Sequence, residues 1–162
     1  MTMSERSLEL ALEIIQICTV RGLTIATAES CTGGLISACL TEVPGSSAVL
    51  DRGFVTYSNR AKEDLLGVPE AILQTHGAVS AETAEAMASG AREQAGVDLA
   101  IAVTGIAGPG GGSREKPVGL VHIALATAER LDGVREMFKG DRQSVRQQTL
   151  ESALLLIRTS LG

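Results

Sequence analysis

The sequence has 162 residues, of which 44% are hydrophobic and 20% charged, and its formal net charge is −5 at pH 7. This length and balance are typical of one globular domain and argue against a disordered chain. The negative charge, together with only one Tyr, two Phe and no Trp, argues against an extended nucleic-acid-binding surface.

The three cysteines, Cys18, Cys31 and Cys39, are an odd number without Cys-x-x-Cys spacing. We therefore expect neither a zinc site nor a disulfide framework, and a reducing compartment. Residues 1–13 lack the basic and apolar regions of a signal peptide, and no apolar run approaches membrane-spanning length. These features predict a cytoplasmic protein that does not contact a membrane.

Apolar residues at helical spacing predict a first helix that ends before Gly22, and they are Leu8, Ala11, Leu12, Ile15 and Cys18. Apolar runs that are separated by Gly or Pro predict the remaining strands and helices. In chain order we expect a strand at 23–28, a helix at 33–42, a strand at 49–57, helices at 59–66 and 70–76, a helix from Ser80 to Gly96, a strand at 99–103, a glycine-rich loop at 104–117, strands at 118–127 and 134–138 joined around Asp132-Gly133, and a last helix capped by Asp141.

This order of elements predicts an α/β fold. Helical crossovers favour parallel strands early in the chain, and the late hairpin must be antiparallel. We expect a three-layer α/β/α sandwich with a mixed, mostly parallel sheet of about five strands, forming a single domain over residues 1–162.

Three polar residues, Ser30, Tyr57 and Thr104, each follow a predicted strand. If those strands are parallel, their carboxyl ends meet at one edge of the sheet. Ligands of open α/β sheets bind beyond that edge. The sequence therefore predicts a site that contains these three residues.

The turn after the first strand reads Ser30-Cys31-Thr32-Gly33-Gly34. Two glycines permit unusual dihedral angles and close approach of a ligand, and a helix start provides free N–H donors. A nucleophile and an oxyanion hole can be built in this way. A simple Ser/Thr-capped helix start fits the same pattern. Cys31 is a rival nucleophile, but neither histidine is convincingly placed as its partner.

A nucleophilic serine needs a base, and Lys62 is the best candidate. It lies one turn inside the helix that follows Tyr57, so its side chain can fold back over the strand end. Lysine acts as a base when burial lowers its pKa; the alternative is a solvated surface lysine. We expect structural roles for His76, at a helix end, and for His122, within a strand.

Glycine occupies five of the eight positions 105–112. Free backbone N–H groups in such a loop can bind an anion, but neither the Walker A motif nor the dinucleotide fingerprint is present. A mobile loop is the alternative. Arg142 and Arg146 lie one turn apart in the last helix, where they can face a phosphate or solvent.

Five segments occur together in order: Ala28–Gly34, Gly53–Asn59 with Ala61-Lys62, His76–Ser80, Thr104–Pro109 and Lys116–Gly119. With them, nearly the whole chain resembles the CinA C-terminal domain family, the nicotinamide-nucleotide amidohydrolases. Longer members carry an N-terminal molybdopterin-binding-like domain. This sequence does not contain one, so we expect a stand-alone deamidase.

The resemblance implies hydrolysis of nicotinamide mononucleotide to nicotinate mononucleotide and ammonia, a step of NAD salvage. It also implies the three-layer sandwich and a serine mechanism without a metal or cofactor. Ser30 matches the family's nucleophile, Lys62 its general base, Tyr57 a residue near that pair, and Thr104 a polar pocket residue that is often serine in related sequences.

We further assign Thr32, Gly33 and Gly34 to the oxyanion hole. The residues assigned to nucleotide or phosphate contacts are Gly105, Gly108, Gly110, Gly111 and Arg142. The expected ligand is therefore a small pyridine mononucleotide.

Two other functions remain open. One is a non-catalytic nucleotide-binding module, and the other is an accessory protein in DNA uptake or recombination, as the family's competence-related name suggests. The acidic composition argues against direct contact with DNA. A homo-oligomer is expected, with the alanine stripe at 84–95 or the apolar last helix as its interface.

Overall fold

The computed structural model describes residues 2–162, in which helices and strands alternate along most of the chain. In chain order the elements are α1 (Glu5–Arg21), β1 (Ile25–Glu29), α2 (Leu35–Thr41), a short 3-10 helix (Ser46–Ala48), β2 (Leu50–Val55), α3 (Asn59–Leu66), α4 (Glu70–His76), α5 (Ala81–Ala95), β3 (Leu99–Gly105), β4 (Leu120–Ala126), β5 (Leu131–Met137) and α6 (Arg142–Ser160).

The five strands form one sheet in the order β2-β1-β3-β4-β5. β1 is parallel to β2 and to β3, whereas β3–β4 and β4–β5 are antiparallel pairs. Four strands therefore run in one direction and β4 runs in the other, which confirms the predicted mixed, mostly parallel sheet. The three inner strands are almost completely buried and the two edge strands are partly exposed.

Helices cover both faces of the sheet, as the predicted three-layer sandwich requires. On one face, α1, α2 and α6 enclose a core of large aliphatic residues such as Ile14, Ile36 and Leu154. On the other, α3, α4 and α5 cover a face rich in alanine, including Ala28 and Ala102. Small residues on the sheet and on α5 allow the helix to lie close to the strands.

The alanine stripe of α5 packs inward rather than onto a partner. Ala84, Met87, Ala88 and Ala91 are buried against the sheet. The close packing predicted from this stripe is confirmed. Its alternative use as an interface between subunits is wrong, because the sheet of the same chain already covers it.

The β4–β5 turn lies earlier than predicted. The N–H of Thr127 donates to the carbonyl of Arg130 at 2.9 Å, and Ala126 pairs with Leu131. Asp132 and Gly133, predicted to form the turn, lie inside β5. The side chain of Thr127 explains the shift, because its hydroxyl accepts from the N–H of Arg130 at 3.1 Å and closes the turn.

The buried face of α1 differs from the predicted one at two positions. Ala11, Ile15 and Cys18 are buried as predicted. Leu8 and Leu12 are exposed, however, and Leu10 and Ile14 lie in the core instead. Two overlapping apolar stripes exist in this helix, and packing against α2 and α6 selects one of them. Within residues 2–162 no helix has the length and apolar character needed to cross a membrane.

We predict that Gly90→Ala destabilises the fold. Alanine normally stabilises a helix by about 0.5–1 kcal/mol relative to glycine, but a methyl group at Gly90 would overlap the carbonyl oxygen of Leu66 where α5 crosses α3. Thermal unfolding should show Tm lowered by about 3–10 °C. The control is Gly133→Ala in β5, where a methyl group meets only ordinary contacts. An unchanged or higher Tm for Gly90→Ala would contradict this packing.

Candidate active site

A serine and a lysine that are 32 positions apart meet at the carboxyl ends of β1 and β2. Ser30 directly follows β1, and Lys62 lies in the first turn of α3, which begins shortly after β2. The Nζ atom of Lys62 lies 3.1 Å from Oγ of Ser30. Parallel pairing of β1 and β2 brings the two strand ends together, so the topology itself creates this contact.

Lys62 is one of the most buried side chains of the molecule, with 1% of its surface exposed. Its amine donates a hydrogen bond to the carbonyl of Thr56 at 2.9 Å. The start of α3 is fixed by Ser58, whose hydroxyl accepts from the N–H of Ala61 at 3.0 Å. These contacts rule out the solvated surface lysine that the sequence left open.

Burial lowers the pKa of Lys62, because a charged ammonium loses hydration inside the protein, and the Cys31 thiol opposes this effect. No carboxylate in the described part of the chain forms an ion pair with the amine. The neutral amine has a lone pair that can accept the proton of the Ser30 hydroxyl. The pair therefore has the geometry of a nucleophile and its base.

A cavity of about 230 Å³ opens onto this pair. The structure brings several of the predicted site residues to its wall, namely Ser30, Tyr57, Lys62, Thr104, Gly105 and Arg142. Thr104 lies inside β3 rather than after it, and its hydroxyl donates to the carbonyl of Ala78 at 2.6 Å. A second cavity of about 730 Å³ shares Ala107 and Arg142 with the first.

Tyr57 forms the exposed rim of the site. Its side chain is 62% exposed, and its hydroxyl accepts a hydrogen bond from Arg142 at 2.9 Å. Among residues 2–162 this hydroxyl has no hydrogen bond to Lys62 or Ser30. Tyr57 is thus coupled to the arginine beside the cavity rather than to the serine–lysine pair.

The turn after β1 uses its two glycines for backbone shape. Gly33 and Gly34 have φ angles of +63° and +99°, in the left-handed region that favours glycine. The N–H of Gly33 donates to the carbonyl of Ser30 and that of Gly34 to the carboxylate of Glu29, both at 3.1 Å. The prediction that these two N–H groups hold an oxyanion is therefore wrong, because internal acceptors already occupy them.

Two other N–H groups of the same turn are free. Within the described chain, the backbone N–H groups of Cys31 and Thr32 have no protein acceptor, whereas that of Ser30 donates to the carbonyl of Val103 at 3.1 Å. The hydroxyl of Thr32 donates to Glu29 at 2.7 Å. Thr32 thus remains a candidate for the oxyanion hole, through its backbone rather than its side chain.

The structural roles of two residues behind the turn were not predicted from the sequence. Glu29 is completely buried at the end of β1 and binds the turn and the start of α2. Arg146 donates to the carbonyl of Thr32 at 2.7 Å. An acidic residue at the end of an apolar strand was a visible signal for Glu29, whereas Arg146 looked like a surface or phosphate-binding residue.

The rival catalytic groups lie in unsuitable environments. Burial raises the pKa of the Cys31 thiol to about 12, so little thiolate forms at neutral pH. His76 lies 3.5 Å from Glu82 at the end of α4. His122 faces Thr104 across the β3–β4 pair, but neither histidine lines the cavity at Ser30.

The glycine-rich loop is tied to the scaffold at two points. Arg142 donates to the carbonyl of Gly108 at 2.9 Å, and Lys116 donates to the carbonyl of His76 at 2.5 Å. Of the glycines predicted to bind the nucleotide, only Gly105 lines the cavity at Ser30. Gly108 does not line it but accepts a hydrogen bond from Arg142, which does. Gly110 and Gly111 line neither of the two cavities.

Known proteins share both the sequence and the fold. The family model described as CinA C-terminal domain matches residues 7–161. CinA-like proteins of Geotalea daltonii and Syntrophotalea carbinolica are 59% identical over 140 residues and 53% identical over 155 residues, covering 86% and 94% of this chain. This chain spans about a third of each relative's length, 34% and 37%.

Solved structures extend the match to three dimensions. The competence/damage inducible protein CihA from Agrobacterium tumefaciens superposes with a TM-score of 0.96 at 49% identity, over 99% of this chain and 98% of that one. A CinA superfamily protein from Escherichia coli gives a TM-score of 0.91 at 32% identity, over 98% and 94% of the two chains. On sequence and fold together, the chain belongs to the CinA C-terminal domain family.

Proposed function

We propose that this domain hydrolyses the carboxamide of nicotinamide mononucleotide to nicotinate mononucleotide and ammonia. The observation that carries the proposal is the buried amine of Lys62, 3.1 Å from the hydroxyl of Ser30 at a cavity wall. The substrate class comes from the resemblance to nicotinamide-nucleotide amidohydrolases. Arg142, at the junction of the two cavities, is consistent with an anionic substrate.

In the first half of the reaction, neutral Lys62 takes the proton from Ser30 as Oγ bonds to the carboxamide carbon. The carbonyl becomes a tetrahedral oxyanion. Lys62 then gives that proton to the amide nitrogen, the carbon–nitrogen bond breaks and ammonia leaves. An ester between Ser30 and the nicotinoyl group remains, and Lys62 is neutral again.

In the second half, water attacks the ester carbon and Lys62 accepts the proton of the water. When the carbon–oxygen bond to Ser30 breaks, Lys62 returns this proton to Oγ. The product is a carboxylic acid, which ionises at neutral pH. One water is consumed and one ammonia released for each amide bond.

The oxyanion requires donors, and the free N–H groups of Cys31 and Thr32 are the candidates in the turn. Donors adjacent to the nucleophile are common in acyl transfer and contribute roughly 10²–10³-fold to turnover. In this proposal, Gly33 and Gly34 hold the backbone shape that keeps these neighbours next to Ser30.

Substrate binding divides between the two cavities. The smaller cavity takes the pyridine ring, and the larger one takes the ribose phosphate beside Arg142. The guanidinium carries five N–H donors and makes one hydrogen bond to Gly108 and one to Tyr57. Its remaining donors can bind a phosphate while the loop and the rim stay attached.

We predict that Ser30→Ala and Lys62→Met each lower kcat for ammonia release from nicotinamide mononucleotide by about 10³-fold or more, because the nucleophile and base act as a unit. The control is His76→Asn, which changes a rival base outside the cavity and should keep wild-type turnover. Wild-type activity in Ser30→Ala would contradict the mechanism. Nucleotide binding by the wild type without ammonia release would favour the non-catalytic module.

We predict that kcat/KM increases with pH and reaches its plateau below the ordinary pKa of lysine. Only the neutral amine is a base, and burial lowers the pKa of Lys62, so the active fraction rises at lower pH than for an exposed lysine. The assay should span pH 7 to 10, with thermal unfolding measured at each pH to exclude denaturation. A rate that rises only around the ordinary lysine pKa, or that falls over this range, would contradict the role of Lys62.

We predict that Arg142→Gln raises KM for nicotinamide mononucleotide by about 10–100-fold, since a charged hydrogen bond to phosphate contributes roughly 1.5–3 kcal/mol. KM for nicotinamide riboside, which lacks the phosphate, should change much less. Arg6→Gln, an exposed arginine of α1, is the control. An equal rise for both substrates would show that Arg142 acts on the loop or on Tyr57 rather than on phosphate.

A further inference from the structure

We propose that Glu29 is a positioning residue for the nucleophile: its buried carboxylate fixes the backbone that follows Ser30, and so holds the serine against Lys62 and leaves the N–H groups of Cys31 and Thr32 free. The proposal deepens the amidase function and rests on it. Glu29 lies at the end of β1, next to Ser30, and none of its surface is exposed.

The carboxylate is surrounded by donors from the turn and from α2. One oxygen accepts from the hydroxyl of Thr32 at 2.7 Å and from the N–H groups of Gly34 at 3.1 Å and Ile36 at 3.0 Å. The other accepts from the N–H of Ser37 at 2.9 Å. One carboxylate thereby accepts from one side-chain hydroxyl and three backbone N–H groups along the path from the turn into the helix.

Two further hydroxyls complete the shell of hydrogen-bond donors around the Glu29 carboxylate. Those of Thr27 and Ser37 lie 3.2 Å and 3.1 Å from the second carboxylate oxygen and 2.5 Å from each other. The two hydroxyls have only two protons for these three contacts, so at least one of them donates to Glu29. The buried negative charge is therefore compensated by hydrogen bonds and by the N-terminal end of α2.

The need for a carboxylate follows from the glycine beside it. The residue that precedes α2 is Gly34, whose φ of +99° favours glycine, and glycine has no side chain with which to cap the helix. Glu29 supplies the missing cap from the preceding strand. An ionised carboxylate has only acceptor sites, whereas an amide would direct an N–H group at donors on one side.

Release of this shell would act on Ser30 through the backbone. The turn is also held by the N–H of Gly33 on the carbonyl of Ser30 and by Arg146 on the carbonyl of Thr32. Without Glu29 the link to α2 is lost, and the Oγ–Nζ distance is no longer fixed. A displacement of about 1 Å in a catalytic group can lower turnover roughly 10²-fold.

The test compares Glu29→Gln with the wild type. We expect kcat for nicotinamide mononucleotide to fall about 10²-fold while KM changes less than about threefold, because Tyr57 and Arg142 bind the substrate from other elements. Labelling of Ser30 by a fluorophosphonate, followed by intact mass, should slow to a similar extent. Amide exchange at Gly34, Ile36 and Ser37 should accelerate.

Thr149→Ala is the matched control. It removes a buried hydroxyl that donates to the carbonyl of Val145 at 2.7 Å, in α6 and away from the cavity. Its Tm should fall while kcat and labelling stay at the wild-type level. A folded Glu29→Gln protein with wild-type kcat and labelling would overturn the proposal.

Two further outcomes are decisive. If Glu29→Gln does not fold, Thr32→Val and Ser37→Ala each remove donors to the carboxylate, and unchanged kcat in both would overturn the positioning role. If the wild type releases no ammonia, the amidase function fails. The positioning role of Glu29 is then tested by the rate of Ser30 labelling alone, and an equal rate in Glu29→Gln and wild type would overturn it. If Ser30 is also unreactive in the wild type, unchanged exchange at Gly34 and Ile36 in Glu29→Gln overturns it.

Discussion

The candidate site depends on the burial of one lysine without a carboxylate partner. Removing an ammonium from water is costly, and a protein can avoid most of that cost by leaving the amine neutral. Lys62 has two uncharged oxygen neighbours, the hydroxyl of Ser30 and the carbonyl of Thr56. The same burial that lowers the pKa of the amine is what the proposed function requires of a base, so in that proposal a cost in stability serves the chemistry.

The pH dependence of that cost follows from proton linkage, which relates stability to the protons bound in the folded and unfolded states. The unfolded chain carries Lys62 at its ordinary pKa, whereas burial lowers the pKa in the folded state. Between these two values the unfolded state binds more protons, so the contribution of this group to stability rises with pH through that window and stays at its low value below it. Below the ordinary lysine pKa the buried amine therefore lowers the stability of the fold, and in the proposed function this is a common trade-off between stability and activity.

The second constraint is the backbone shape after β1. Glycines at 33 and 34 allow the chain to turn into α2, Glu29 binds the donors behind the turn, and Arg146 binds the carbonyl of Thr32. All these groups come from different elements, and the sheet holds them in place. The chemistry is thus assembled from residues near Ser30 in space but distributed between β1 and α6 in sequence.

Much of this arrangement could be predicted from the sequence, because it follows from local patterns and strand polarity. The strand–turn–helix around Ser30 and the position of Lys62 after β2 were predicted in this way, and parallel pairing brought them together. The β4–β5 turn was misplaced because Asp-Gly is a strong turn signal, whereas a hydroxyl of Thr127 closes the real turn. The buried face of α1 was likewise misassigned at Leu8 and Leu12, since only packing decides between its two apolar stripes.

The sequence could not show which backbone N–H groups of the turn are free to bind an oxyanion. Glycines next to a nucleophile suggested free N–H groups, but their acceptors are Ser30 and the side chain of Glu29, which depend on three-dimensional geometry. Glu29 itself had no predicted role, because its function is defined by donors up to eight residues away. Hydrogen-bond satisfaction is a property of the folded molecule as a whole.

The protonation state of the Lys62 amine is the most direct test of the proposed serine–lysine pair. The sequence contains only three lysines, so NMR titration of their side-chain ¹³Cε signals is practicable, with Lys62→Arg providing the assignment. We expect Lys62 to lose its proton below the ordinary lysine pKa and the Ser30→Ala variant to retain a lowered pKa at Lys62, because burial is the main cause. A Lys62 that titrates at the ordinary lysine value would contradict the assignment of a buried neutral base beside Ser30.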